Sequence, residues 1–255
     1  MNQDTITAPE VEEMIANSTY TSTFDMSSAF YSIPLRKEDR RLTKFLGPDR
    51  QAYSYSCCGM GMKNSMTFLN QLTRKVFQGM EKYVLCFADD ILICSNGTWQ
   101  EHLQKVEEVL NRLIKANLLI SPAKSLLMHP EVQYLGIVYT HGAKPQMAIP
   151  AARIKGYLDQ ERPKTRKGLV SFLASVNYFR KFLPYHSHVA EPLHRAICAD
   201  PDPKAVIDWT PERDKAYKDI LENVKENAVM QVPNPQKPFV AFSDCLLYTS
   251  DAADE

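Results

Sequence analysis

Three carboxylates stand where apolar runs end. Asp89 and Asp90 interrupt YVLCFADDILICS (83–95), and Asp25 follows the β-branched, aromatic stretch TYTSTF (19–24). Like charges about 4 Å apart in a partly wet site repel by roughly 1–4 kcal/mol, so a converged trio calls for a positive partner. Carboxylates meeting at strand ends suit Mg²⁺, a hard cation that prefers oxygen ligands and keeps waters for substrate phosphates. Two such ions about 3.5–4 Å apart stabilise the attacking and leaving oxygens of a phosphoryl displacement. An isolated Asp-Asp pair between strands is more often a solvated hairpin turn, and Asp25 alone fits a strand-end cap.

The chemistry depends on the elements that carry these acids. Tyr83–Phe87 and Ile91–Cys94 read as two buried strands joined at the acidic pair. If TYTSTF pairs with the first of them, Asp25 and Asp89 lie side by side. QAYSYSC (51–57) alternates like a further strand. Residues 62–80 read as a helix with Phe68, Leu72, Val76 and Met80 near one face and Gly79 near its end. Thr98 and Glu101 have capping-box spacing, and Leu103, Val106, Leu110, Leu113 and Ile114 recur at helical period. Residues 133–149 read as two strands around a His-Gly turn. Leu169, Phe172, Leu173, Val176, Phe179 and Leu183 give a helix that Pro184 ends. Thr210 and Pro211 start a last helix, and VPNPQKP (232–238) is a stiff linker.

Composition excludes little. Thirty basic residues balance thirty acidic ones, so a nucleic-acid partner must be argued from local patches. Hydrophobic residues at 44% exclude disorder, and no run reaches transmembrane length. Six cysteines without C-x-x-C spacing fit a reducing, intracellular setting. His186, His188, His194 and Cys198 match no common zinc pattern and read as surface or capping residues. The tail CLLYTSDAADE (245–255) reads as translated sequencing adapter and is set apart from the fold.

FDMSSAFYSIPL, GMGMKNSMTF, FADD, SPAKS and QYLG follow one another in order, with SFLASVNYFRKFLP…AEPLHR and WTPERDKAYKDI behind them. Over about residues 2–244 this resembles the reverse transcriptase of gypsy-type LTR retrotransposons. The resemblance implies an α/β (α+β) right-hand polymerase. Palm and partial fingers would span 1–143, a helical thumb 144–200, and a connection with the start of an RNase H domain 201–244. It implies RNA-directed DNA polymerisation on a template-primer with dNTPs, within a larger Pol polyprotein and without a membrane. The setting would be cytoplasmic, in a virus-like particle, or nuclear.

Carried over residue by residue, Asp25 and Asp89 would hold two Mg²⁺ ions, with Mn²⁺ as a substitute, and Asp90 would be their neighbour. Phe87 stands where a Tyr is commoner and would keep the plate beneath the primer end. Phe30 would lie under the incoming sugar. Met60, Gly61 and Asn64 would line the nucleotide pocket. Lys124 would sit near the leaving pyrophosphate; an exposed loop lysine is the competing reading. Tyr134, Leu135 and Gly136 match the hairpin that grips the primer. Lys164, Arg166 and Lys167 would touch phosphates, although a solvated charge run fits any one of them.

Three departures bear on activity. NSMTF is one residue shorter than the usual motif, which would shift the nucleotide pocket. The chain opens at NQDTI, so upstream fingers strands are expected to lie outside it, and weak or no synthesis is expected of this piece alone. Asp244 matches the first RNase H acid, but its companions do not follow. An inactive remnant that binds nucleic acid is the alternative expectation.

Overall fold

The computed structural model describes residues 6–142 and 144–232. Asp244, the tail 245–255 and nearly all of the proline-rich linker lie outside the described residues. In chain order the elements are α1 (Ala8–Ala16), β1 (Tyr20–Ser27), β2 (Phe45–Leu46), β3 (Ala52–Tyr53), α2 (Ser65–Val76), β4 (Val84–Phe87), β5 (Asp90–Ser95) and α3 (Trp99–Lys115). There follow β6 (Leu119–Leu126), β7 (Glu131–Tyr134), β8 (Ile137–Thr140), β9 (Gln146–Ala148), α4 (Ala151–Asp159), α5 (Arg166–Asn177), α6 (His186–Ala199), α7 (Pro211–Glu226) and β10 (Val229–Gln231).

An antiparallel sheet of order β4-β5-β1-β6 forms the platform. Residues 91–94 of its strand β5 are an unbroken apolar run because both faces are covered. Ile91 and Ile93 enter one core with Val106, Val109 and Leu113 of α3 and Leu69 of α2. Leu92 and Cys94 enter another with α1, β7–β9 and α5–α7. Alternation along a strand produces this division.

A second sheet, β10-β9-β8-β7, lies in that other core. β8 and β9 pair across the 143/144 boundary, and α6 packs on α7 across 200/201. The segments predicted as thumb and connection therefore share one core with part of the platform.

Several expectations need correction. The first strand does not end at Asp25; pairing of Met26 and Ser27 with β6 carries it to Ser27. It pairs with β5, the second strand of the acidic hairpin, rather than the first. Of 51–57 only Ala52 and Tyr53 are strand, since this small hairpin has no buried face to extend it. α2 is shorter than predicted and buries Ser65, Leu69 and Thr73, leaving Phe68 49% exposed. The helix over 169–183 ends at Asn177 and continues as a 3₁₀ turn, Arg180–Phe182, before Pro184. Residues 133–149 hold parts of three strands, with a tight turn at Leu135–Gly136 besides the one near His141–Gly142. Thr98 with Glu101 and Thr210 with Pro211 cap α3 and α7 as expected.

α3 also buries a residue that periodicity missed. His102 is fully buried, its Nδ1 2.6 Å from Ser95 Oγ and its Nε2 2.8 Å from Ser22 Oγ. The two hydroxyls join β5 and β1 to the helix through a neutral imidazole. Burial, reinforced by Lys105 and His141, pushes the ring from 6.5 down to about 4. The unfolded chain binds a proton near 6.5 and the folded chain only near 4, so this stability is complete above pH 6.5 and is lost as pH falls between the two values. A loss on the order of 2–3 kcal/mol is expected between neutral pH and pH 4. Urea denaturation across that range checks it, and His102→Gln should flatten this part of the profile.

No helix among the described residues is long and apolar enough to cross a membrane.

Candidate active site

The acidic hairpin closes through two residues. Phe87 and Asp90 are paired, leaving Ala88 and Asp89 as the turn. Ala88 adopts φ 56°, a left-handed conformation that costs a non-glycine residue about 1–2 kcal/mol. Its N–H donates to Asn70 Oδ1 of α2 at 3.3 Å, and Cys86 Sγ lies 3.7 Å from its carbonyl oxygen. The Met26 N–H donates to the Asp89 carbonyl at 2.7 Å, so the turn is fastened to the strand residue after Asp25. Asn70 was missed by sequence reasoning; its only signal is a polar side chain beside the stripe Ser65–Leu69–Thr73.

Asp25 lies directly opposite Asp90 in the β1–β5 register, so both side chains leave the same face of the sheet. Asp89 follows one step away in the turn. Burial raises the Asp90 carboxyl first, and the charges of Asp89 and then Asp25 raise it further, while Lys124 opposes them.

The positive partner is Lys124. Its Nζ lies 3.2 Å from Oδ1 and 3.4 Å from Oδ2 of Asp25. A register break places it there. Thr23 pairs with Leu126, but Asp25 pairs with Ser121, so four residues of β6 oppose Phe24. Pro122 removes a backbone donor from this bulge, and Ser125 Oγ closes it by donating to the Ser121 carbonyl at 2.7 Å. Lys124 therefore belongs to an irregular strand, where a loop was the competing expectation.

The donor set fits a hard divalent ion. All three groups are carboxylates, and an ammonium already sits on both oxygens of Asp25. As the side chains stand, no three His, Cys, Asp or Glu residues among the described residues are grouped closely enough to hold an ion. Closure would take rotation of side chains that share one end of the sheet.

The remaining predicted residues divide. Phe30, in a 3₁₀ turn at Ala29–Ser32, is partly buried against the α2–α3 core, and Phe87 is partly buried against the other core. Met60 is 68% exposed, Gly61 has φ +83° with open space around it, and Asn64 is exposed at the start of α2. The loop that carries them is tied down by Cys58, whose N–H donates to Ile33 O at 2.8 Å, and by Ser65 Oγ, which donates to Gly59 O at 3.1 Å.

Tyr134 is 2% exposed, so its ring belongs to the core and is not available to a primer; its hydroxyl donates to the Asp90 carbonyl at 3.5 Å. Only Leu135 and Gly136 of that trio reach the surface. Arg166 is likewise engaged, its Nε donating to Ile197 O at 2.9 Å, which fixes α5 to α6. Lys167 is exposed, as is Lys164, which pairs with Glu161 at 3.4 Å.

The platform is a mixed α/β fold with acids at one end of its antiparallel sheet. The chain belongs to the family described as "Reverse transcriptase (RNA-dependent DNA polymerase)", which matches residues 3–139. It is 31% identical over 250 residues to the Transposon Tf2-3 polyprotein of Schizosaccharomyces pombe, covering 96% of this chain and 18% of that polyprotein. The Tf2-7 polyprotein of the same organism is 32% identical over 253 residues, with the same coverage. The chain thus groups with the reverse transcriptases of LTR retrotransposon polyproteins, and it spans 18% of the length of these curated relatives.

Among solved structures, a foamy viral protease-reverse transcriptase in complex with RNA/DNA hybrid superposes with a TM-score of 0.78 at 23% identity, covering 93% of this chain and 31% of that one. The same enzyme in complex with double-stranded DNA gives 0.75 at 24% identity, covering 88% and 46%. These likenesses show a shared fold.

The electrostatics can be tested without substrate. Asp89→Asn and Asp25→Asn should each lower the titration midpoint of the Asp90 carboxyl, and Lys124→Met should raise it. Carbon-13 NMR of the side-chain carboxyls reads all three; an unmoved Asp90 in every variant would separate the acids.

Proposed function

We propose that this chain carries the polymerase site of an RNA-directed DNA polymerase, with Asp25 and Asp89 as the ligands of two Mg²⁺ ions and Asp90 as their charged neighbour. The single observation that carries the proposal is the register that sets Asp25 opposite Asp90, with the Asp89 backbone bound to Met26. When bound, the ions would stabilise the attacking primer 3′-hydroxyl and the leaving pyrophosphate oxygen.

The chain's own residues supply the rest. The acids concentrate negative charge at one end of the platform and accept cations there. Lys124 supplies an ammonium at the same spot, positioned to neutralise a leaving phosphate once Asp25 has another partner. Phe30, Met60, Gly61, Asn64 and Phe87 would border the dNTP, and the Leu135–Gly136 turn would meet the primer strand. Lys167 remains open to template or primer phosphates and Lys164 would leave Glu161 to reach them, whereas Arg166 serves the helix packing. The proposed substrates are an RNA template, a DNA primer and dNTPs, held largely by shape and backbone. The proposed context is a Pol polyprotein with further domains.

Extension of a DNA primer on an RNA template, with Mg²⁺ and dNTPs, tests this. Asp25→Asn and Asp89→Asn should each cut extension by more than ~100-fold, the scale of losing one preorganised charge-stabilising group. Lys124→Ala should tighten Mg²⁺ binding about fivefold, because an exposed competing ion pair worth about 1 kcal/mol or less is removed, while slowing extension. Extension that survives in both acid variants would refute the assignment.

A further inference from the structure

The far end of α5 touches the β7–β8 turn through one side chain. Tyr178, the residue after Asn177, donates from its hydroxyl to the Leu135 carbonyl. Its ring carbon Cε1 lies 3.7 Å from where a Cβ on Gly136 would sit. Phe179 anchors it edge-on, with ring centroids 5.0 Å apart at 89°, and is itself buried. Three residues beyond Tyr178, Lys181 forms a part-buried ion pair with Glu12 of α1. The segment is therefore held at two separate points, of which one is the turn.

The bond to Leu135 fixes a peptide plane. Leu135 and Gly136 have φ values of 47° and 70°, as a two-residue hairpin turn requires. The Leu135 carbonyl and the Gly136 N–H belong to one trans peptide and point in opposite directions. Holding the oxygen toward Tyr178 therefore turns the N–H away from it. That N–H has no hydrogen-bond partner among the described residues, and Gly136 is exposed. An oriented backbone N–H at the surface suits a phosphate oxygen, and such contacts set the position of a protein on nucleic acid.

We propose that Tyr178 is a positioning residue for the primer strand: its hydroxyl locks the 135–136 peptide so that the Gly136 N–H meets a non-bridging phosphate oxygen of the primer. This rests on the reading of the turn as a primer contact. Tyr178 touches no reacting atom and acts only through the peptide it holds.

Binding of a labelled RNA/DNA hybrid to the full chain, followed by fluorescence anisotropy, provides the test. Neutral methylphosphonates are placed singly along the primer strand. In the wild type one position should weaken binding about tenfold, the scale of one hydrogen bond to a charged group. In Tyr178→Phe the unmodified hybrid should bind about five- to tenfold more weakly, the penalty at that position should vanish, and the thermal midpoint should stay unchanged. Lys181→Met, which breaks the neighbouring clamp, should lower the midpoint and leave the methylphosphonate profile intact. In wild-type protein the Gly136 amide proton should move downfield when hybrid is added, a readout that needs no variant. A penalty that survives in Tyr178→Phe, or an unmoved Gly136 amide beside a sensitive phosphate, overturns the proposal alone. A wild-type profile without any sensitive primer phosphate overturns the primer-contact reading, and the proposal with it.

Discussion

The register between β1 and β5 is the constraint on which the site depends. It puts Asp25 across from Asp90, an arrangement that like charges oppose. β5 enforces it because neither face is free to change neighbours: Ile91 and Ile93 serve one core, Leu92 and Cys94 the other. A slip of one residue would exchange the two sets and misplace four side chains. Full burial of each such side chain contributes about 1.5–3 kcal/mol, while repulsion in a partly wet site is limited to a few kcal/mol. Packing therefore wins, and the acids remain together although they repel.

Lys124 resolves part of that repulsion in a way that regular strand geometry would not. Four residues opposite Phe24 bend β6 so that an exposed side chain reaches the acid two places along in the neighbouring strand's pairing. The ammonium is 68% exposed, while Asp25 is 18% exposed. The pair is consequently screened on the lysine side and contributes little to stability. An ammonium held weakly in this way on a largely buried carboxylate can give way to another cation.

The capping signals were legible in the sequence because they are local. Thr98 with Glu101, and Thr210 with Pro211, need only their own turn of helix. The strand pairing was not, since nothing within TYTSTF distinguishes β4 from β5 as a neighbour. The face of α2 was ambiguous for a related reason. Phe68, Leu69, Leu72, Thr73 and Val76 cover a broad arc, and the sheet chose the side with the small Ser65 and Thr73. The acids were found as a set from their order in a family pattern, whereas their mutual geometry came from tertiary packing. Arg166 and Tyr134 show the opposite failure: residue types that suit a nucleic-acid contact are used here for internal hydrogen bonds.

Tyr134 also indicates how the helical part of the chain bears on the acids. Its hydroxyl reaches the Asp90 carbonyl at 3.5 Å, too long for that bond alone to transmit much. The ring is different, for it is almost fully buried among residues of β5 and the α5–α7 helices. Burial drives the phenol pKa strongly upward, so the group stays a neutral donor. A shift of the β7–β8 hairpin would have to move this ring within the core that Leu92 and Cys94 of β5 also enter. The connection between the helices and the acidic hairpin is therefore steric before it is polar, carried by a close-packed core that resists small displacements.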